Sequence, residues 1–149
     1  MGFYTSIEVS ATGLSAERLA MDTIANNIAN VNTTRTAEGG PFKRQLIVFA
    51  QKNEPTQGSA NASADANDPA RSRAGVDVVG IVNDQSPDKL VYDPSHPDAD
   101  PQGYVHMPNI EVVKEMVDMM AASRAYEANV TAIQESRAIG NATLGLLKA

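Results

Sequence analysis

Apolar residues recur at helical spacing in two stretches, one at each end of the chain. Stepping by four and three from Phe3 reaches Ile7, Ser10, Leu14, Glu17, Met21, Ile24, Ile28 and Val31, and seven of these nine positions are apolar. That is the heptad-like course of a helix meeting a partner helix. A helix of about 28 residues is about 42 Å long at 1.5 Å per residue. Thr5 and Glu8 are spaced as a capping box, with Tyr4 and Val9 placed for a hydrophobic staple. The same stepping from Val112 gives Met116, Met119, Ser123, Tyr126, Val130, Ile133, Arg137, Gly140, Leu144 and Leu147, with eight of eleven positions apolar. This second helix is expected to begin near Asn109, after Pro108, with Glu111 in its first turn. Val113, Val117 and Met120 widen its stripe at the start, and a second apolar face predicts a second helical partner.

Proline separates these ends from the middle. All eight prolines lie between Pro41 and Pro108, and proline breaks helix interiors. Within that window, residues 44–50 (RQLIVFA), 76–82 (VDVVGIV) and 89–92 (KLVY) are β-branched and predict strands. Residues 51–75 are rich in Ser, Ala, Asn, Asp and Gly and predict a flexible loop. The expected organisation is therefore α+β. An N-terminal helix (1–35) and a C-terminal helix (109–149) pair as a coiled coil, and a β-rich central segment (36–108) carries the loop.

The end of the first helix is unusual. Asn26, Asn27, Asn30 and Asn32 crowd the stretch TIANNIANVNTTRT (23–36), although the short amide of asparagine competes for the backbone and weakens helices. Asn30 or Asn32 can supply a C-terminal turn residue. The period-four repeat in IANNIAN (24–30) argues further for a designed face. Spacings 26/30 and 27/30 place these amides on adjacent turns. The preferred expectation is that they meet backbone or amide groups of neighbouring chains and fix register, as a buried asparagine does in a coiled coil.

Composition narrows the function classes. A net charge of −6 argues against a nucleic-acid partner. That charge sits mostly in residues 36–109, and the helical ends are nearly neutral, which permits close packing of copies. The chain has no cysteine, which removes disulfides and thiolate metal sites. No apolar run reaches a membrane span, and the first ten residues lack the basic and apolar regions of a general secretory signal.

Catalytic and metal motifs are scarce. Asp98, Asp100, Gln102 and Gly103 imitate the opening of a calcium loop, but the twelfth position is Asn109 where a Glu is needed. The preferred reading of residues 92–105 is a proline-stiffened turn whose aspartates bond their own backbone. Ser95 and His96 have no motif supplying an acid partner. EGGP (38–41) lacks a phosphate-loop pattern and reads as a turn. Lys43, Arg44, Arg71 and Arg73 are expected to be solvated or paired with neighbouring subunits. No catalytic residue, cofactor or metal is assigned.

Four stretches together resemble a known family. ATGLSAERLAMDTIANNIANVNTTRT is similar to the N-terminal signature of bacterial flagellar rod and hook proteins, and EMVDMMAASRAYEANVTAIQESRAIGNATLGLL to their C-terminal helix. TRTAEGGPFKRQLIVF and VVGIVNDQSPDKLVYDPSHPDADPQGYVHMPNIEVVKEMVDM resemble the proximal-rod members. Ala37 departs from the proline often found there. The resemblance implies a non-catalytic subunit that polymerises helically into the hollow drive shaft crossing the periplasm. It implies partners among copies of itself, other rod proteins, adaptor proteins of the rotor ring and export gate at the rod base, and the flagellar type III export apparatus, which would explain a missing cleavable signal. Ile7, Leu14, Met21, Asn26, Asn27, Ile28, Asn30, Met116, Tyr126, Val130, Ile133, Leu144 and Leu147 are the expected assembly residues. The alternatives are a different rod position or a soluble helical adaptor or chaperone-like module that binds one partner and is well folded alone, with a calcium-dependent enzyme or lectin a distant third.

Overall fold

A computed structural model describes residues 3–52 and 75–147. Two long helices flank four strands, in the order α1 (Phe3–Ala29), β1 (Gln45–Gln51), β2 (Val76–Asn83), β3 (Lys89–Tyr92), β4 (Tyr104–Met107) and α2 (Val112–Leu147). The strands form two two-stranded sheets, β1 with β2 and β3 with β4. The α+β expectation is met. Most of the predicted central loop, residues 53–74, lies outside the described residues.

Several element boundaries differ from expectation. Helix α1 is already formed at Phe3, so Thr5 lies inside it and is not its cap. Helix α2 begins at Val112, three residues later than expected. The Glu115 N–H bonds to the Glu111 carbonyl at 3.0 Å. Glu111 therefore precedes the helix and accepts its first backbone bond. The delay has a local cause: β4 runs to Met107, and Pro108 is buried immediately after it. Asn30 or Asn32 was expected to supply a C-terminal turn residue, a place commonly filled in a left-handed conformation, yet among the described residues no non-glycine residue has positive φ. Helix α1 instead unwinds through tighter bonds, from Asn30 N–H to the Asn27 carbonyl and from Val31 N–H to the Ile28 carbonyl.

Contacts divide the chain into two compact units, and each takes part of both helices. The first comprises Met1–Arg18, Phe49–Val79 and Ser123–Ala149; the second comprises Leu19–Val48 and Gly80–Ala122. In the first unit, α1 and α2 meet where the Ser6 and Ser136 hydroxyls lie 3.5 Å apart. They meet again at Gly13, where an added Cβ would come within 3.0 Å of the Asn129 amide nitrogen. Seven residues forward on α1 thus match seven residues backward on α2, an antiparallel pairing with heptad spacing. Val76 N–H also bonds the Thr12 hydroxyl at 3.1 Å in this unit. In the second unit, Asn27 meets Glu115. Each of these helix pairs sums to the same residue number, 142.

The buried seam is shifted from the predicted stripe. On α1 the buried residues are Ala16, Thr23 and Asn27, with Ala20 half-buried between them. Each lies one position before a predicted one (17, 24, 28 and 21). On α2, Glu115 and Ala122 are buried, and Asn129 and Ser136 are half-buried. They too precede the predicted 116, 123, 130 and 137 by one, while Met119, Tyr126 and Ile133 keep their expected places at the seam. Small residues let the helices approach closely, and the bulky side chains are displaced to the flanks. Ala16, Ala122 and Val105 are the buried apolar residues of the described core.

The second unit also holds the β3–β4 ladder. Its antiparallel register pairs Lys89 with Met107, Leu90 with His106, Val91 with Val105 and Tyr92 with Tyr104. Strand β4 was not foreseen, because YVHM is short and follows a run of Asp and Pro. Alternation buries Val105 and exposes Tyr92 and Tyr104, whose rings meet edge to face at 5.3 Å. Gly103 closes the connection at φ +86°, and an added Cβ would sit 2.9 Å from the Tyr92 ring. Gly103→Ala is therefore expected to lower stability by about 1–3 kcal/mol through left-handed backbone strain and this clash, read as a reduced urea midpoint of the purified chain.

Candidate functional site

The crowded amides find their partners inside the chain. Among the described residues, Asn27 and Glu115 are the two largest fully buried side chains, each 1% exposed. Helix α1 delivers Asn27 to the start of β1. There the Asn27 Nδ2 donates to the Gln45 carbonyl at 2.9 Å, and the Gln45 N–H donates to Asn27 Oδ1 at 2.9 Å. The side-chain amide thus makes both bonds that a neighbouring strand would make with Gln45. The second Asn27 Nδ2 hydrogen goes to Glu115 Oε2 at 3.0 Å, so both amide donors are engaged.

Glu115 is held from its other side by Arg44. The Arg44 Nε donates to Glu115 Oε1 at 2.6 Å, a short charge-assisted bond. The same guanidinium lies 3.5 Å from Asp118 and 4.0 Å from Asp84. A buried carboxylate is tolerable only when paired and hydrogen-bonded, and Glu115 meets both conditions. Among the described residues, no buried side-chain nitrogen or oxygen lacks a partner. The expectation that Arg44 is solvated or reaches a neighbouring subunit is corrected here, because its guanidinium is spent within its own chain. Lys43 likewise pairs with Asp88.

Asn26 and Asn30 form a ladder around this knot. Asn26 Nδ2 donates to Gln45 Oε1 at 3.0 Å. Asn30 Nδ2 donates to the Asn26 carbonyl and to Asn26 Oδ1, both at 2.9 Å. Thr33 Oγ1 donates to Asn30 Oδ1 at 3.2 Å. The period-four spacing is thus used between successive turns of α1 and onward to β1. Nothing in the sequence reading pointed to Arg44, Gln45 or Glu115. The one available signal was a carboxylate at position 115, between the apolar stripe positions 112, 116 and 119.

The bulky residues of the second unit lie elsewhere. On α2, Val113, Met116, Val117 and Met120 are 68%, 49%, 54% and 54% exposed. They follow i, i+3, i+4 and i+7 spacing, and so form one face. On α1, Met21, Ile24 and Ile28 are half-buried, as is Val31 in the turn that follows. In the first unit, Ile7, Leu14, Tyr126, Val130 and Ile133 are half-buried, and Leu144 is exposed. The side chain of Leu147 lies outside the described residues. Of the expected assembly residues, the second unit brings Asn26, Asn27 and Asn30 into one network, whereas Met116 and Leu144 face outward.

The aspartate-rich turn does what local chemistry dictates. Asp93 Oδ1 accepts bonds from the Ser95 N–H at 3.0 Å and the Ser95 hydroxyl at 2.6 Å. Asp100 Oδ1 accepts from the Gln102 and Tyr104 N–H groups. Asp98 accepts from the Thr34 hydroxyl at 2.8 Å. Asp93 and Asp100 thus form the self-bonding turn expected over residues 92–105, whereas Asp98 bonds outside it.

Removing one member of the knot strands another. Glu115→Ala is expected to cost about 3–5 kcal/mol, because the Arg44 charge loses its buried partner. Asn27→Ala is expected to cost about 1–3 kcal/mol through unpaired groups on Gln45 and Glu115. Urea denaturation followed by circular dichroism measures both. In the turn, the hydroxyl and N–H of Ser95 hold the Asp93 carboxyl below its ordinary value of 3.8. A lowered folded-state pKa contributes stability that is present above 3.8 and lost as pH falls through the lowered value. Asp93→Asn is expected to flatten the acid limb of a stability-against-pH curve and leave its slope near neutrality unchanged.

Comparison with known proteins places the chain. Residues 7–35 match the family described as "Flagella basal body rod protein", and residues 102–146 match "Flagellar basal body rod FlgEFG protein C-terminal". The chain is 47% identical to the flagellar basal-body rod protein FlgC of Borreliella burgdorferi, covering 99% of both chains. It is 40% identical to FlgC of Bacillus subtilis over 99% of this chain and 95% of that one. Against FlgC of Aquifex aeolicus the identity is 38% over 93% of this chain and 92% of the relative. ANNIAN, FKRQ and VKEMV, parts of the stretches that first suggested the likeness, supply the Asn27–Gln45–Arg44–Glu115 knot. The chain belongs to the bacterial flagellar basal-body rod protein family, and it matches the FlgC members over almost its whole length.

Proposed function

We infer that the chain is a structural, non-catalytic subunit of the proximal part of the flagellar rod, the shaft that carries torque outward from the rotor. Its partners are other rod subunits, including copies of itself, and adaptor proteins of the rotor ring and export gate at the rod base. It reaches the periplasm through the flagellar type III export apparatus. The helices form the inner part of the tube, and the β-rich segment 36–108 lies outside them.

One observation carries the mechanical part of this reading. The helix seam uses small residues, and α2 leaves the face of Val113, Met116, Val117 and Met120 uncovered. Such a face marks a surface that a partner covers, and the similarity to rod proteins makes other rod subunits that partner. A subunit completed by its neighbours keeps it for them, and each large apolar side chain buried on joining contributes about 1.5–3 kcal/mol. Rigid packing of these faces around a tube lets rotation pass from one subunit to the next.

Aspartate on that face separates assembly from folding. Met116→Asp with Met120→Asp is expected to leave the helical circular dichroism of the purified chain intact, because both positions are solvent-facing. The same pair should abolish rod completion and swimming when it replaces the normal gene. Normal swimming would exclude this face from assembly.

A further inference from the structure

The helix seam in the second unit has a weakness that its chemistry makes plain. Its layers are Ala20, Thr23 and Ala122, with Met119 beside them. Such small side chains make shallow knobs and give little preference for one longitudinal setting over another. A slip of one heptad moves one helix past its partner by about 10 Å. In one direction it would place Glu115 opposite Ala20, and in the other Ala122 opposite Asn27. Neither alanine can satisfy the polar group it would meet, and the carboxylate would move away from Arg44.

We propose that Asn27, Arg44 and Glu115 are register-setting residues that fix how the second unit presents its outward apolar faces. The half-buried Met21, Ile24 and Ile28 on α1 and the exposed Val113, Met116, Val117 and Met120 on α2 then stand in one fixed relation. A neighbouring subunit can match only one such relation. The knot therefore sets specificity of joining without touching the neighbour, and this rests on the rod-subunit reading above. Three features distinguish the knot from ordinary core packing. It joins three elements, α1, β1 and α2. It satisfies all three hydrogen-bonding groups of the Asn27 amide, counting Oδ1, through Gln45 and Glu115. Its charge pair stabilises little beyond a well-packed apolar substitute, so register is the property that distinguishes it.

The chain has no cysteine, which makes disulfide trapping a clean reporter of register. The residue sum of 142 places Thr23 opposite Met119, so Thr23→Cys with Met119→Cys reports the native setting. Thr23→Cys with Val112→Cys reports the one-heptad slip that sets Glu115 opposite Ala20. In the otherwise unaltered chain, oxidation of purified protein should link the first pair and leave the second unlinked. The triple variant Asn27→Leu, Arg44→Met, Glu115→Leu leaves no orphaned charge from the pair and should keep its helical signal. Its slipped-to-native ratio should rise at least about tenfold, which corresponds to losing about 1.4 kcal/mol of register preference. Carrying only the triple change, cells should fail to complete the rod.

An unchanged ratio overturns the proposal whatever the cells do. A raised ratio with normal rods overturns the link to joining and leaves the rod-subunit reading standing. Should the triple variant not fold, Glu115→Gln is read on the same cysteine pairs. It preserves shape and an amide bond to Asn27 but loses the charge pair. A slipped product above that of the unaltered chain supports the proposal, and none overturns it. Failure of the rod-subunit reading itself would show separately, as normal swimming with aspartate at positions 116 and 120.

Discussion

A carboxylate buried to 1% exposure constrains everything around it. Glu115 cannot sit between α1 and α2 as a charge unless a cation and a donor reach it there, since desolvating an ion costs several kcal/mol. Arg44 supplies the cation from the residue just before β1, and Asn27 supplies the donor from the last turns of α1. Each requirement fixes the position of a different element. The end of α1, the start of β1 and the first turn of α2 are thereby brought to one point. With few large apolar residues inside, this polar convergence gives the second unit a definition that its hydrophobic core does not supply.

The small-residue seam is the complement of that knot. Close helix approach at Gly13 against Asn129 in the first unit, and along Ala20, Thr23 and Ala122 in the second, excludes bulky side chains from the interior. Leu, Ile, Met and Val are pushed onto the flanks and outer faces, where one copy does not cover them. Ordinary monomers scatter such exposure singly. Here it is organised at helical spacing, as expected for a chain whose burial is finished by association.

Much of the architecture was legible in the sequence, and the misses share one physical origin. Proline placement and apolar periodicity gave both helices, and β-branched runs gave β1, β2 and β3. The seam was misplaced by one residue because periodicity was scored on bulk. The packing selected small residues at 16, 20, 23 and 122 in preference to their larger neighbours. Strand β4 was missed because four residues carry little pattern of their own, and only pairing with β3 makes YVHM a strand. The amides of residues 26–30 were recognised as a designed face, yet their partners were sought in other chains. A sequence does not display that Gln45 and Glu115, 18 and 88 residues away from Asn27, converge on one side chain. Arg44 was set aside as an exposed cation for the same reason.

The use of an amide as a substitute strand has a consequence for the lifetime of the molecule. Spontaneous hydrolysis of Asn27 to aspartate would turn its donor into an acceptor and set a second carboxylate against Glu115. The damage would be irreversible, and it would fall on the one junction with no apolar reserve behind it. Enclosure within α1 opposes this chemistry, because the ring-closing attack needs a free backbone nitrogen at Ile28 and the helix keeps that nitrogen occupied.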